Sequence, residues 1–125
     1  MFRPDDCVGE FVHEGSPLTL GLPQMAFSQA VQAGAKTLVL GVASAGGALT
    51  DELITDAEAA LNAGLDIVSG LHSRLRDVPK LAEIAARNGR RLIDVRDPAT
   101  DLKVGTGVRR EGLRLLTVGT ECSVG

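Results

Sequence analysis

The sequence predicts a layered α/β fold: a parallel sheet of about four to five strands with helices on both faces. Three observations carry this. A glycine followed by a short apolar run recurs in "AVQAGAKTLVLG" (30–41), "ALNAGLDIVSG" (60–70), "AARNGRRLIDV" (85–95) and "VRREGLRLLTVG" (108–119). Helical apolar stripes precede the first three of these runs. The composition suits tight turns over a small-residue core, with 44% apolar residues, 15 Gly, three Phe and no Trp or Tyr.

Each element has a local reason. Gly34, Gly64 and Gly89 fit the position just past a helix, where a left-handed backbone costs little only for glycine. The runs Thr37–Val42, Leu65–Val68, Arg91–Val95 and Leu113–Val118 are nearly continuous in apolar content. Strands covered on both faces read this way. Cys7–Val12 is expected to add one more strand. The first helix is expected over Pro23–Ala33, burying Met25, Ala26, Ala30 and Phe27. In the second, Leu53, Ala57, Ala60 and Leu61 share one stripe. Thr50 is its expected N-cap, with Asp51 and Glu52 where the helix dipole favours anions. The third is expected to start at Asp77, tolerate Pro79 in its first turn and bury Val78, Leu81, Ala82 and Ala85. Alternation of strand and helix with short links implies right-handed crossovers.

Residues 1–106 read as one domain. Residues 107–125 read as the end of a linker, a strand and an incomplete phosphate loop opening a further domain. The stop at Gly125 is therefore expected to mark a truncated fragment of a larger enzyme. A strict phosphate loop has the spacing G-x-x-x-x-G-K-[ST]. Gly119 and Gly125 are separated by five residues, so the strict first glycine falls on Thr120. Gly119, Thr120, Glu121, Cys122, Ser123, Val124 and Gly125 are the candidate phosphate-binding residues. An ordinary strand exit through a glycine turn is the competing reading.

The net charge of −3 leaves no footprint for nucleic acid. Cys7 and Cys122 match no zinc or redox spacing, so free thiols in a reducing cytoplasm are expected. No apolar run approaches the roughly 20 residues of a membrane span. A cytoplasmic protein with no resident metal is the expectation.

"GTECSVG" looks like the start of the variant loop G-T-x-x-x-V-G-K of dethiobiotin-synthetase-like proteins. More of the chain resembles another family. "LPQMAF", "GAKTLVLGVASAGG", "AGLDIVSGLHSRLRD", "RLIDVRDP" and "GTGVRREGLRLLTVGTECSVG" are similar, in order, to the bacterial D-glutamate N-acetyltransferase family, long carried as a domain of unknown function. The resemblance runs from about Cys7 to Gly125. It implies a Rossmann-like N-terminal domain joined to a C-terminal P-loop domain, with a further strand–helix segment upstream. It also implies acetyl transfer from acetyl-CoA to the amine of D-glutamate, in a homo-oligomer, with the fragment inactive alone. The phosphate loop would hold acetyl-CoA or a nucleotide.

In open parallel sheets ligands bind outside the carboxyl ends of the strands. Three loops are expected there. In "GVASAGG" (Gly41–Gly47), Ser44, Gly46 and Gly47 could present backbone N–H groups to an anion such as a carboxylate or a phosphate; a glycine turn needed only for tight packing is the structural alternative. G-x-G-x-x-G is missing, so no dinucleotide is expected. In "SGLHSRLRD" (Ser69–Asp77), His72 is the candidate catalytic base and Arg74 a candidate carboxylate fork. The alternative is that Arg74 and Arg76 are solvated helix-start charges and His72 caps or packs. In "DVRDP" (Asp94–Pro98), Asp94 ends a buried run and should need a partner, with Arg96 or Arg74 expected. Arg96 could instead read a substrate carboxylate. Two further classes stay open: an ATP-dependent P-loop ligase, and a non-catalytic ligand-binding or oligomerisation domain.

Overall fold

A computed structural model describes residues 3–97 together with 105, 107, 108, 111–113 and 118. Within it, helix α1 (Phe27–Gln32) leads into β1 (Thr37–Leu40), α2 (Asp51–Ala63), β2 (Asp66–Ser69), α3 (Pro79–Asn88) and β3 (Leu92–Asp94). The strands form one parallel sheet in the order β1-β2-β3. Three strands are found among the described residues where four to five were expected. Residues 114–117 of the expected last strand lie outside them, and its ends, Leu113 and Val118, are exposed.

The expected strand over Cys7–Val12 is reduced to an isolated bridge between Glu10 and Gln24. That bridge also explains why α1 starts at Phe27 instead of Pro23. The Glu10 N–H donates to the Pro23 carbonyl at 2.9 Å and the Met25 N–H to the Glu10 carbonyl at 3.0 Å, so this backbone is bonded away from a helix. A Cβ on Gly9 would lie 2.5 Å from the Pro23 oxygen, so only glycine allows the approach. Ala26, expected inside, is exposed and extended.

Local signals fix the other two helices. The Thr50 hydroxyl accepts from the Leu53 N–H at 3.3 Å, with Asp51 and Glu52 in the first turn. Gly64 and Gly89 take the left-handed conformation as the caps of α2 and α3. The third helix begins at Pro79, two residues later than expected. Proline disfavours helical geometry in the residue before it, and Val78 is extended. Asp77 instead closes a separate 3-10 turn, Leu75–Asp77.

The register puts Leu38, Ile67 and Leu92 in one row, and Leu40, Ser69 and Asp94 in the next on the same face. That face packs on Ala57, Ala60 and Leu61 of α2 and on Leu81, Ile84 and Ala85 of α3. Phe27 and Val31 of α1 join the same cluster. The described helices thus lie side by side on one face, as two right-handed crossovers in the same direction require. Val39 of the opposite row is 65% exposed, and no second helical layer lies among the described residues. Each fully buried leucine, such as Leu61 or Leu81, contributes about 1.5–3 kcal/mol.

Candidate functional site

The carboxyl ends of β1, β2 and β3 release three turns that touch one another. After β1, a 3-10 turn over Ala45–Gly47 carries Gly46 and Gly47 at φ of 66° and 64°. The Gly47 carbonyl accepts from the backbone N–H of His72 at 2.9 Å and of Ser73 at 3.2 Å, which joins the first turn to the second. A Cβ on Gly47 would come within 2.2 Å of the His72 ring. Glycine is therefore required twice over at this position, by backbone sign and by space. The second and third turns join where the Val95 N–H donates to the Ser69 carbonyl at 3.0 Å.

Charges complete the rim. Asp94 is buried, and its Oδ1 accepts from the Leu75 N–H at 2.8 Å while its Oδ2 accepts from Arg76 Nε at 3.1 Å. Asp97 forms ion pairs through both oxygens, with Arg74 Nε at 3.0 Å and with Arg76 Nη2 at 2.7 Å. The hydrogen bond that Arg76 donates to Asp94, then the nearby charge of Asp97, raise the Arg76 pKa above its ordinary value. The expected partner of Asp94 was Arg96 or Arg74; it is Arg76. The reason is local: Leu75 binds one carboxylate oxygen through its N–H, which brings the following residue in its 3-10 turn onto the other.

The candidates fare differently in geometry. His72 is exposed beside Gly47, and its ring makes no hydrogen bond among the described residues. Arg74 is half-exposed and, among the described residues, tied only through Nε. Arg96 is exposed and has no ion pair among the described residues. The Ser44 hydroxyl donates to the Ala48 carbonyl, and the Gly47 N–H to the Ser44 carbonyl at 2.9 Å, so both groups already hold the turn. Gly119, Thr120, Glu121, Cys122, Ser123, Val124 and Gly125 lie outside the described residues. Asp97 was not anticipated. Its signal was the repeat of aspartate three residues after Asp94, next to a strand end.

A groove of about 900 Å³ lies elsewhere, between residues 6–22 and β1, and its lining is mostly apolar. Of its ionic side chains, Asp6, Glu10, His13 and Asp56 are engaged, and Lys36 has no ion pair among the described residues. Glu10 accepts from the Thr19 hydroxyl and from the Leu20 N–H at 2.7 Å, which lower its pKa in that order. His13 Nε2 pairs with Asp56 at 2.8 Å. The strand-end rim, with Arg74 and Arg96 partly or wholly uncommitted, is the better place for a charged ligand. Among the described residues no cluster of three or more His, Cys, Asp or Glu could hold a metal ion. None of the described helices is long and apolar enough to cross a membrane.

An open parallel sheet with α-helical crossovers and three turns gathered at its carboxyl edge defines a Rossmann-like domain, and the family comparison agrees. Residues 5–98 match the family described as a domain of unknown function, DUF1611_N, a Rossmann-like domain, and the chain belongs to that family. It is similar to the D-glutamate N-acetyltransferase of Tritonibacter scottomollicae, with 48% identity over 124 residues, and to that of a Pseudoalteromonas species, with 41% over 124 residues. In both cases 99% of this chain is aligned, and it spans 37% of the relative's length.

Proposed function

We propose that this chain is part of a longer N-acetyltransferase acting on D-glutamate, and that the strand-end rim holds the amino acid. The observation that supports this best is the meeting of three turns at one edge, with His72 seated on Gly47 and Arg74 tied to Asp97. Glutamate carries two carboxylates, and two guanidinium groups, Arg74 and Arg96, stand at this edge with hydrogen-bonding capacity to spare.

Acetyl transfer to an amine needs an unprotonated nitrogen held near the acyl carbon. In this reading the arginines bind the carboxylates, and the His72 ring accepts a proton from the substrate ammonium. The freed nitrogen attacks the acyl carbon, the C–N bond forms, and the C–S bond to the coenzyme breaks. The thiolate leaves, and the nitrogen's second proton passes to it, giving the neutral amide and the free thiol. Acetyl-CoA is the proposed donor, carried on residues 119–125 and the rest of the longer enzyme.

The test is an assay of the full-length enzyme with acetyl-CoA and either enantiomer of glutamate. Release of free thiol with D-glutamate is expected, and His72→Ala should lower kcat/KM by about 100-fold. Turnover that needs ATP in place of acetyl-CoA would replace this reading with that of a ligase. Unchanged kinetics in His72→Ala would remove His72 from the chemistry.

A further inference from the structure

Arg74 and Arg76 sit two residues apart on the same turn, yet they are held in different ways. Arg76 is bound at both ends of its fork, Nε by Asp94 and Nη2 by Asp97. Arg74 is bound at Nε alone, by the other oxygen of Asp97, at 3.0 Å. Its terminal nitrogens have no partner among the described residues, and its side chain is 54% exposed. Asp97 is itself anchored: its N–H donates to the Asp94 carbonyl at 3.1 Å, and its side chain is only 23% exposed.

A guanidinium can bind one carboxylate through its Nε side and a second through its terminal pair. Holding the Nε side in advance orients that pair and removes part of the side-chain entropy lost on binding. We propose that Asp97 is the positioning residue of the substrate site: it orients Arg74 so that Nη1 and Nη2 meet a carboxylate of the amino acid, with Arg76 bracing Asp97 from the far side. This rests on the reading that the rim binds the amino acid. Asp97 touches no substrate and moves no proton. Its effect is on the geometry of binding.

The experiment is a double-mutant cycle in the full-length enzyme with D-glutamate as the varied substrate. Arg74→Ala should raise KM. Asp97→Asn should raise KM by about tenfold, the worth of one charge-assisted contact, with kcat within about twofold of the parent. Asp97→Glu, which keeps the charge, should recover part of the loss. In the Arg74→Ala background Asp97→Asn should change KM no further, because its route of action has gone. Thermal melting of each variant keeps a folding defect from passing as a binding defect. If Arg74→Ala raises KM and Asp97→Asn does not, the positioning role is wrong while the site stands. The role is equally wrong if Asp97→Asn costs as much without Arg74 as with it. If Arg74→Ala leaves KM unchanged, the site itself is wrong.

Discussion

Two buried aspartates on neighbouring strands, Asp66 and Asp94, do opposite jobs. Asp66 opens β2 and is satisfied by one residue: Arg91 gives it a backbone N–H at 2.9 Å, Nε at 2.8 Å and Nη2 at 2.7 Å. The pair is closed and staples the start of β3 to β2. Asp94 ends β3 and divides its bonds between Leu75 and Arg76. Through Arg76 the network runs on to Asp97 and out to Arg74. A buried charge at the amino end fixes register. A buried charge at the carboxyl end roots a network of two arginines and a second aspartate that links the turns after β2 and β3.

The sharpest way to break this contrast compares glycines at the two ends. Gly47→Ala drives a methyl into the His72 ring and should cut turnover of the full-length enzyme by about 100-fold, the scale of a misplaced catalytic group. Gly64→Ala meets open space and should cost only backbone strain, about 1 kcal/mol, with turnover unchanged. Steady-state kinetics beside thermal melting separate the two.

The aspartates come next. Asp94→Ala strands the buried Leu75 N–H and should cost about 2–3 kcal/mol, together with a raised KM for the amino acid. Asp66→Ala should cost about 1–2 kcal/mol and leave KM alone, since Arg91 is mostly solvated and lies at the far end. Denaturant melts give the first quantity and substrate titration the second.

Two pH effects are smaller. The Arg91 backbone N–H, then its guanidinium, hold the Asp66 carboxyl below its ordinary pKa. Its contribution is present above the ordinary carboxylate value and is lost as pH falls through the lower folded value. The stability gap between the parent and Asp66→Asn should therefore close in acid. His13 is shifted the other way, first by its hydrogen bond to Asp56. That contact is fully present below the ordinary histidine value and is lost as pH rises through the raised one. His13→Gln should lower the melting temperature slightly below the ordinary histidine value, and the difference should shrink as pH rises through the raised one.

Much of the scaffold was legible in the sequence because its signals are local. Gly64 and Gly89 end helices, Thr50 begins one, and the apolar runs from Thr37, Leu65 and Arg91 contain the three strands. Non-local bonds were not legible. The shortening of α1 depends on Glu10 pairing with residues 23–25, which no pattern inside 23–33 announces. The choice of Arg76 over Arg74 and Arg96 depends on a 3-10 turn, and propensity reads such short turns poorly. Strand-end position found His72 and Arg74 as candidates. It missed Asp97, because a polar turn residue stands out only once both its arginines are in place.

The most direct test is a crystal structure of the full-length enzyme with D-glutamate bound. The account predicts a substrate carboxylate within hydrogen-bonding distance of the Arg74 terminal nitrogens and the substrate amine facing His72. Glutamate found instead in the groove between residues 6–22 and β1, or at the Asp66–Arg91 end of the sheet, would contradict it.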